Sequence, residues 1–166
     1  MAYTVFRCDN MPGTDQRTMV TSVLVRDGDG KNIAVENGTI VEIGALVPGE
    51  HDLYYATLAT ATSDLKKCAV LGTPEVIHDE CTYKNLDDFT NEAGTKASAY
   101  KLGREGTFAV TAEGFVGGTV PAAVDVSVSL GANGKITAPA ATSATVLGKV
   151  LAIDKTARYT FYAIKM

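Results

Sequence analysis

The run Asp27-Gly-Asp-Gly-Lys-Asn32 carries two carboxylates spaced like the first ligands of an EF-hand calcium loop. A loop of that kind beginning at Asp27 needs a bidentate Glu at its last position, but Gly38 stands there. Lys31 also occupies a position that requires an oxygen ligand. Because Asp, Gly and Asn are preferred in tight turns, the run predicts a hairpin turn and no metal site.

The run His78-Asp-Glu-Cys81 places four potential metal ligands in a row. Consecutive side chains of a strand point to opposite faces, so at most two of them could meet one ion. Zinc takes three or four convergent ligands, and the other histidine, His51, is distant in sequence. The pattern is typical of a solvated strand end, and we expect neither a metal nor a cofactor.

Candidate catalytic residues are equally sparse. A hydrolytic triad needs a nucleophile, a base and an orienting acid, and no family signature surrounds His78 and Cys81. The glycine-rich runs Gly103–Gly106 and Gly114–Gly118 lack the Gly-Lys-Ser/Thr ending of a phosphate-binding loop. We therefore expect no catalytic residue and a protein that is not an enzyme.

The composition is that of a globular domain. The chain has 166 residues, of which 46% are hydrophobic and 20% charged, enough to fold without a disulfide or a metal. A net charge of −4 argues against a nucleic-acid partner, since the densest basic cluster is only Lys66-Lys67. No apolar run reaches bilayer-spanning length and no signal peptide is evident, so we expect a soluble protein without a membrane partner.

The cysteines Cys8, Cys68 and Cys81 are odd in number and have no tight spacing. Such a set is a poor disulfide framework. We expect free, mostly buried thiols in a protein made in a reducing cytoplasm.

Short β-prone runs separated by turn residues follow one another from residue 20 onward. Residues 20–46 predict a β-meander, with turns at 27–30 and 36–38. Further strands are predicted at 53–59, 67–71, 106–112, 123–130, 135–138, 146–153 and 159–164. The alternation in 123–130 predicts one shared face for Val124, Val126, Val128 and Leu130. The predicted fold is mostly β, an antiparallel barrel or sandwich with one short helix.

The one predicted helix spans residues 84–93, with Asn85 as its cap and Gly94 as its stop. The predicted organisation is an N-terminal arm, 1–18, followed by a β-rich domain, 19–166. That domain could comprise two small β units that divide near residues 75–100.

Residues 1–18 hold isolated apolar side chains in a segment without an evident strand partner. We expect Tyr3, Val5, Phe6 and Met11 to contact a neighbouring subunit or another protein. The alternative is that this segment is the first strand of the domain's own sheet.

Several stretches resemble small head proteins of tailed phages. The run Asp29–Gly44 resembles their hairpins, and the similarity continues through Pro74–Glu80, Leu86–Gly94, Ala99–Gly103 and Gly106–Ala112. Over most of residues 20–165 the chain resembles the capsid decoration (cement) proteins of phages that infect Gram-positive bacteria. The resemblance lies in the general pattern of residue types rather than in an invariant motif.

The resemblance implies a structural protein of the virion, made in the host cytoplasm, that binds the outer capsid surface and stabilises the head. Its partners would be the major capsid protein and copies of itself, as a trimer or a dimer. The family brings no catalytic or ligand-binding residue. Two alternatives remain: another virion β-domain of the tail or baseplate, or a carbohydrate-binding, lectin-like module. A lectin normally shows clustered exposed aromatic residues or a complete calcium site, and the sequence has neither.

Overall fold

The computed structural model describes residues 2–10, 20–75, 86–102 and 106–166. This part of the chain forms eleven strands in two sheets, so the predicted mostly β architecture is confirmed. The strands are β1 Phe6–Asn10, β2 Val20–Arg26, β3 Ile40–Leu46, β4 Leu53–Leu58, β5 Cys68–Leu71, β6 Ala97–Lys101, β7 Thr107–Val110, β8 Ser127–Leu130, β9 Ile136–Thr137, β10 Val146–Lys155 and β11 Thr160–Lys165.

Five strands close into a barrel in the order β2-β4-β3-β5-β6. β2 and β4 run parallel, whereas the other pairs in the barrel are antiparallel. The predicted meander over residues 20–46 is wrong, because β4 lies between β2 and β3. After its turn the chain returns to β2 only at a single bridge, Arg26 to Asn32.

The predicted turn forms at residues 37–38, but it does not join two paired strands, because Asn37 makes long-range hydrogen bonds. Its side-chain amide donates to the Thr73 carbonyl at 2.9 Å and accepts from the Thr73 N–H at 3.1 Å. The Gly38 N–H donates to the Leu71 carbonyl at 2.8 Å. The Asn-Gly pair therefore attaches this segment to the end of β5 rather than reversing the chain beside β2.

The other six strands form an antiparallel sheet in the order β1-β7-β11-β10-β8-β9. The chain passes from barrel to sheet between Lys101 and Thr107, just beyond the predicted dividing region of 75–100. One buried cluster nevertheless contains barrel residues such as Val70 and sheet residues such as Phe108. The two sheets thus share a core.

The N-terminal segment belongs to this sheet. β1 pairs with β7, with Phe6 opposite Val110. Phe6 is only 9% exposed, and the centroid of its ring lies 6.0 Å from that of Phe108. For residues 6–10 the predicted arm is wrong and the alternative, a first strand of the domain's own sheet, is correct. Burial of Phe6 in the shared core is the physical reason.

No α-helix forms in residues 86–93, the described part of the predicted helix. Leu86–Asp88 is a single 3-10 turn, and Asn91 then forms a two-way backbone bridge with Val35, both N–H···O distances being 2.9 Å. This pairing requires extended backbone at Asn91. The predicted cap, Asn85, lies outside the described residues.

The predicted common face of residues 123–130 begins later than expected. Asp125 has a positive φ of 62°, which turns the chain, and β8 starts only at Ser127. Val128 and Leu130 are buried as predicted, but Val124 is 51% exposed. The positive φ of Asp125 separates Val124 from that face, and the alternation of apolar and polar residues in the sequence does not reveal this backbone conformation.

The β8–β9 turn joins the sheet to the barrel at Gly134. Its N–H donates to the Ala59 carbonyl at 2.9 Å, and a Cβ at this position would overlap the Ile40 carbonyl oxygen. Gly134 also has a φ of +70°, so only glycine meets both requirements.

We expect Phe6→Ala to lower the free energy of unfolding by about 3–5 kcal/mol, because it removes a ring from the shared core. Tyr3→Ala, at a 39% exposed residue, should cost less than about 1 kcal/mol. Urea unfolding followed by circular dichroism measures both. Equal stability of Phe6→Ala and the unaltered protein would contradict the placement of β1.

We expect Gly134→Ala to cost about 3 kcal/mol or more, combining left-handed backbone strain with the clash against β3. Gly49→Ala is the matched control, because Gly49 also has a positive φ but no atom lies within 4 Å of the point that a Cβ would occupy there. The control should lose only about 1–2 kcal/mol. Similar losses in thermal unfolding would show that the close approach to β3 is unimportant.

Candidate binding surface

The four residues predicted to make contacts have different environments. Tyr3 is 39% exposed and lines two neighbouring cavities. Val5 lines the second cavity but is only 2% exposed, and Phe6 lies in the core. Met11 is outside the described residues. Tyr3 therefore remains the available contact residue among the three that are described.

The first cavity, of about 230 Å³, lies against the barrel. Tyr3, Ile33, Val35 and Leu58 supply apolar walls. Glu36 and Lys135 line it too, with 3.0 Å between the Lys135 Nζ and Glu36 Oε1 atoms. The cavity thus combines an apolar lining with an ion pair.

Glu36 connects three parts of the chain at this place. Its Oε2 atom accepts hydrogen bonds from the Thr4 N–H at 2.6 Å and the Thr4 hydroxyl at 2.9 Å. Lys135, paired with Glu36 Oε1, also donates to the Glu113 carbonyl at 2.8 Å. Hydrogen bonds to charged groups are stronger than neutral ones, so this carboxylate helps to fix the N-terminal segment beside Tyr3.

The second cavity, of about 190 Å³, is also lined by Tyr3. Asp87 Oδ1 accepts hydrogen bonds there from Arg158 and from the Tyr159 hydroxyl, both at 3.0 Å. The Tyr3 N–H donates to the Asp87 carbonyl at 2.9 Å. Burial, followed by the hydrogen bond to the Asp87 carboxylate, raises the pKa of Tyr159, so its hydroxyl stays protonated and donates.

The two cavities combine apolar side chains with carboxylates that are already hydrogen-bonded. None of the described residues that line them is a Ser, Cys or His. The Glu36 and Asp87 carboxylates both accept hydrogen bonds from neighbouring groups. Tyr3, which is partly exposed and lines both cavities, is of the residue type that is enriched in protein interfaces.

The Asp27 run forms the predicted turn. Asp27 Oδ1 accepts hydrogen bonds from the Asp29 N–H at 3.1 Å and the Lys31 N–H at 2.8 Å. The His78–Cys81 run lies outside the described residues. Within the described ranges, no three His, Cys, Asp or Glu side chains are grouped so that they could hold a metal ion.

Cys8 and Cys68 are free thiols, and Cys81 lies outside the described residues. Cys68 is fully buried in the shared core. Burial, reinforced by the nearby Glu42 and Asp64 carboxylates, raises the pKa of Cys68 to about 11. This thiol is therefore neutral and inaccessible at physiological pH.

In the part of the chain that the structure describes, no helix is long and apolar enough to cross a membrane.

Sequence reasoning missed the charged residues of this surface. Arg158 and Asp87 are separated by 71 positions, and Glu36 and Lys135 are likewise far apart in the sequence. No local motif marks any of them, because each acts only through its distant partner. Asp87, which lies in the predicted helix, instead accepts hydrogen bonds at the second cavity.

Comparisons with known proteins identify no relative: no family model, no curated protein and no solved structure matches the chain.

We expect Cys68 to resist a thiol-specific alkylating reagent at pH 8 in the native protein and to react after unfolding in urea, because the pKa of about 11 leaves almost no thiolate. Mass spectrometry of peptides resolves each cysteine. The half-buried Cys8 provides an internal comparison. Alkylation of Cys68 in the native protein at the rate of the unfolded chain would contradict its burial.

Proposed function

We propose that this chain is a non-enzymatic structural protein of a phage virion, which binds the outer capsid surface and stabilises the head. Its partners are the major capsid protein and further copies of itself, in a trimer or a dimer. It is made in the host cytoplasm and resides on the capsid surface, without nucleic-acid or membrane partners.

The proposal is carried by the way in which the stretches that resemble decoration proteins contact one another. Val35, in the first stretch, exchanges two backbone hydrogen bonds with Asn91 in the segment 86–94. The Asn91 side chain donates to Asn37 Oδ1 at 3.1 Å. Two of the stretches that resemble decoration proteins are therefore joined by hydrogen bonds in the structure.

Tyr3 is the capsid-contact residue in this proposal. Aromatic side chains with a polar tip are enriched at the centres of protein interfaces, where they contribute much of the binding energy. The two cavities that Tyr3 lines give a partner two places in which to insert side chains. The hydrogen bonds of Thr4 to Glu36 hold the backbone next to Tyr3, which lowers the entropy lost on binding.

The test uses expanded, undecorated shells of the major capsid protein encoded in the same genome as this chain. Sedimentation should show saturable binding, and electron microscopy should show density on the outer surface at symmetry-related sites. We expect Tyr3→Ala to weaken binding about tenfold, in line with the loss of an interface aromatic.

Tyr54→Ala, which removes a partly buried tyrosine of the barrel strand β4, is the matched control and should bind normally once folding has been verified. Absence of a capsid gene from that genome, or shells that bind no protein, would contradict the proposed function. Normal binding by Tyr3→Ala would place the contact elsewhere.

A further inference from the structure

Two lysines lie directly opposite each other on neighbouring strands of the open sheet. Lys149 of β10 is in register with Lys165 of β11, and the next pair, Val150 and Ile164, is fully buried. Because successive side chains of a strand point to opposite faces, both lysines point away from the core. Both are exposed.

This arrangement works against folding. Like charges directly opposite each other in an antiparallel pair destabilise the sheet. Neither Lys149 nor Lys165 makes an ion pair with any residue of the described chain. The folded protein therefore retains a repulsion that a single neutral substitution would remove, as binding residues often do at some cost in stability.

The three most exposed large apolar side chains of the described chain lie on or next to β10. Against β8, Val146 is in register with Ser129 and Lys149 with Ser127, so the irregularity between them leaves both side chains on the same face. Val146 and Leu151 lie on β10 on either side of Lys149, and each is 55% exposed. Val124 is 51% exposed and adjoins Asp125, whose N–H donates to the Val150 carbonyl at 2.8 Å. Uncompensated cations and exposed apolar groups thus share one surface.

We propose that Lys149, Lys165, Val146, Leu151 and Val124 form a docking surface for a protein that presents carboxylates beside apolar side chains. The carboxylates would neutralise the lysine pair, and the apolar contacts would remove the exposed side chains from water. A nucleic-acid backbone offers phosphates but no apolar complement, and the chain's net charge of −4 would repel it. The inference does not depend on the capsid proposal, since it concerns another surface and only the chemistry of the partner.

The probe is a synthetic peptide of alternating Glu and Leu, with a single-stranded oligonucleotide of equal charge as the comparison. We expect the peptide to shift the amide resonances of residues 146–151 and 163–165 in an NMR titration. Lys149→Gln together with Lys165→Gln should weaken peptide binding roughly tenfold. The matched control, Lys66→Gln with Lys67→Gln, removes the same charge from an exposed 3-10 turn and should bind normally.

Thermal unfolding separates this role from a structural one. The Lys149→Gln, Lys165→Gln variant should have a Tm equal to or above that of the unaltered protein, because the repulsion is gone. A lower Tm, or equal weakening in the Lys66, Lys67 control, would overturn the proposal. So would an oligonucleotide that binds the same residues as tightly as the peptide. Self-association that depends on the lysine pair, without peptide binding, would replace the proposed partner with a second copy.

Discussion

The close approach of the β8–β9 turn to strand β3 is the constraint on which the two-sheet arrangement depends. At Gly134 the backbone of the sheet lies against the Ile40 carbonyl of the barrel, with no room for a side chain. This contact lets Ile40 and Val70 of the barrel share a core with Phe108 of the open sheet. Burial of apolar surface from both sheets in one core then favours their folding as a unit.

The contact of the β8–β9 turn with the barrel also positions the candidate binding surface. Lys135 immediately follows Gly134, and its ion pair with Glu36 fixes the N-terminal segment that carries Tyr3. The cavities beside Tyr3 exist because residues from the barrel, the segment before β1 and the turn between β10 and β11 converge there. The lysine pair lies on another part of the open sheet, so the two proposed binding surfaces differ in chemistry and in location.

Predictions from sequence succeeded where a local pattern decided the outcome. The runs that became β2, β4 and β11 are rich in β-branched and aromatic residues. The Asp27 turn also forms, because its hydrogen bonds join residues close in sequence. β1 was predicted only as the alternative to a free arm, and β6 was missed, since the pairing of both strands comes from residues distant in sequence.

The sequence by itself determined that the chain is mostly β, where most strands lie and how the Asp27 turn is stabilised, because propensity and periodicity act over a few residues. Only the tertiary structure decided that β4 separates β2 from β3 and that Asn37 binds Thr73. It also brought Asp87 to Arg158 and Lys149 opposite Lys165. These outcomes depend on pairing energies between residues far apart in the chain, which a local pattern does not encode.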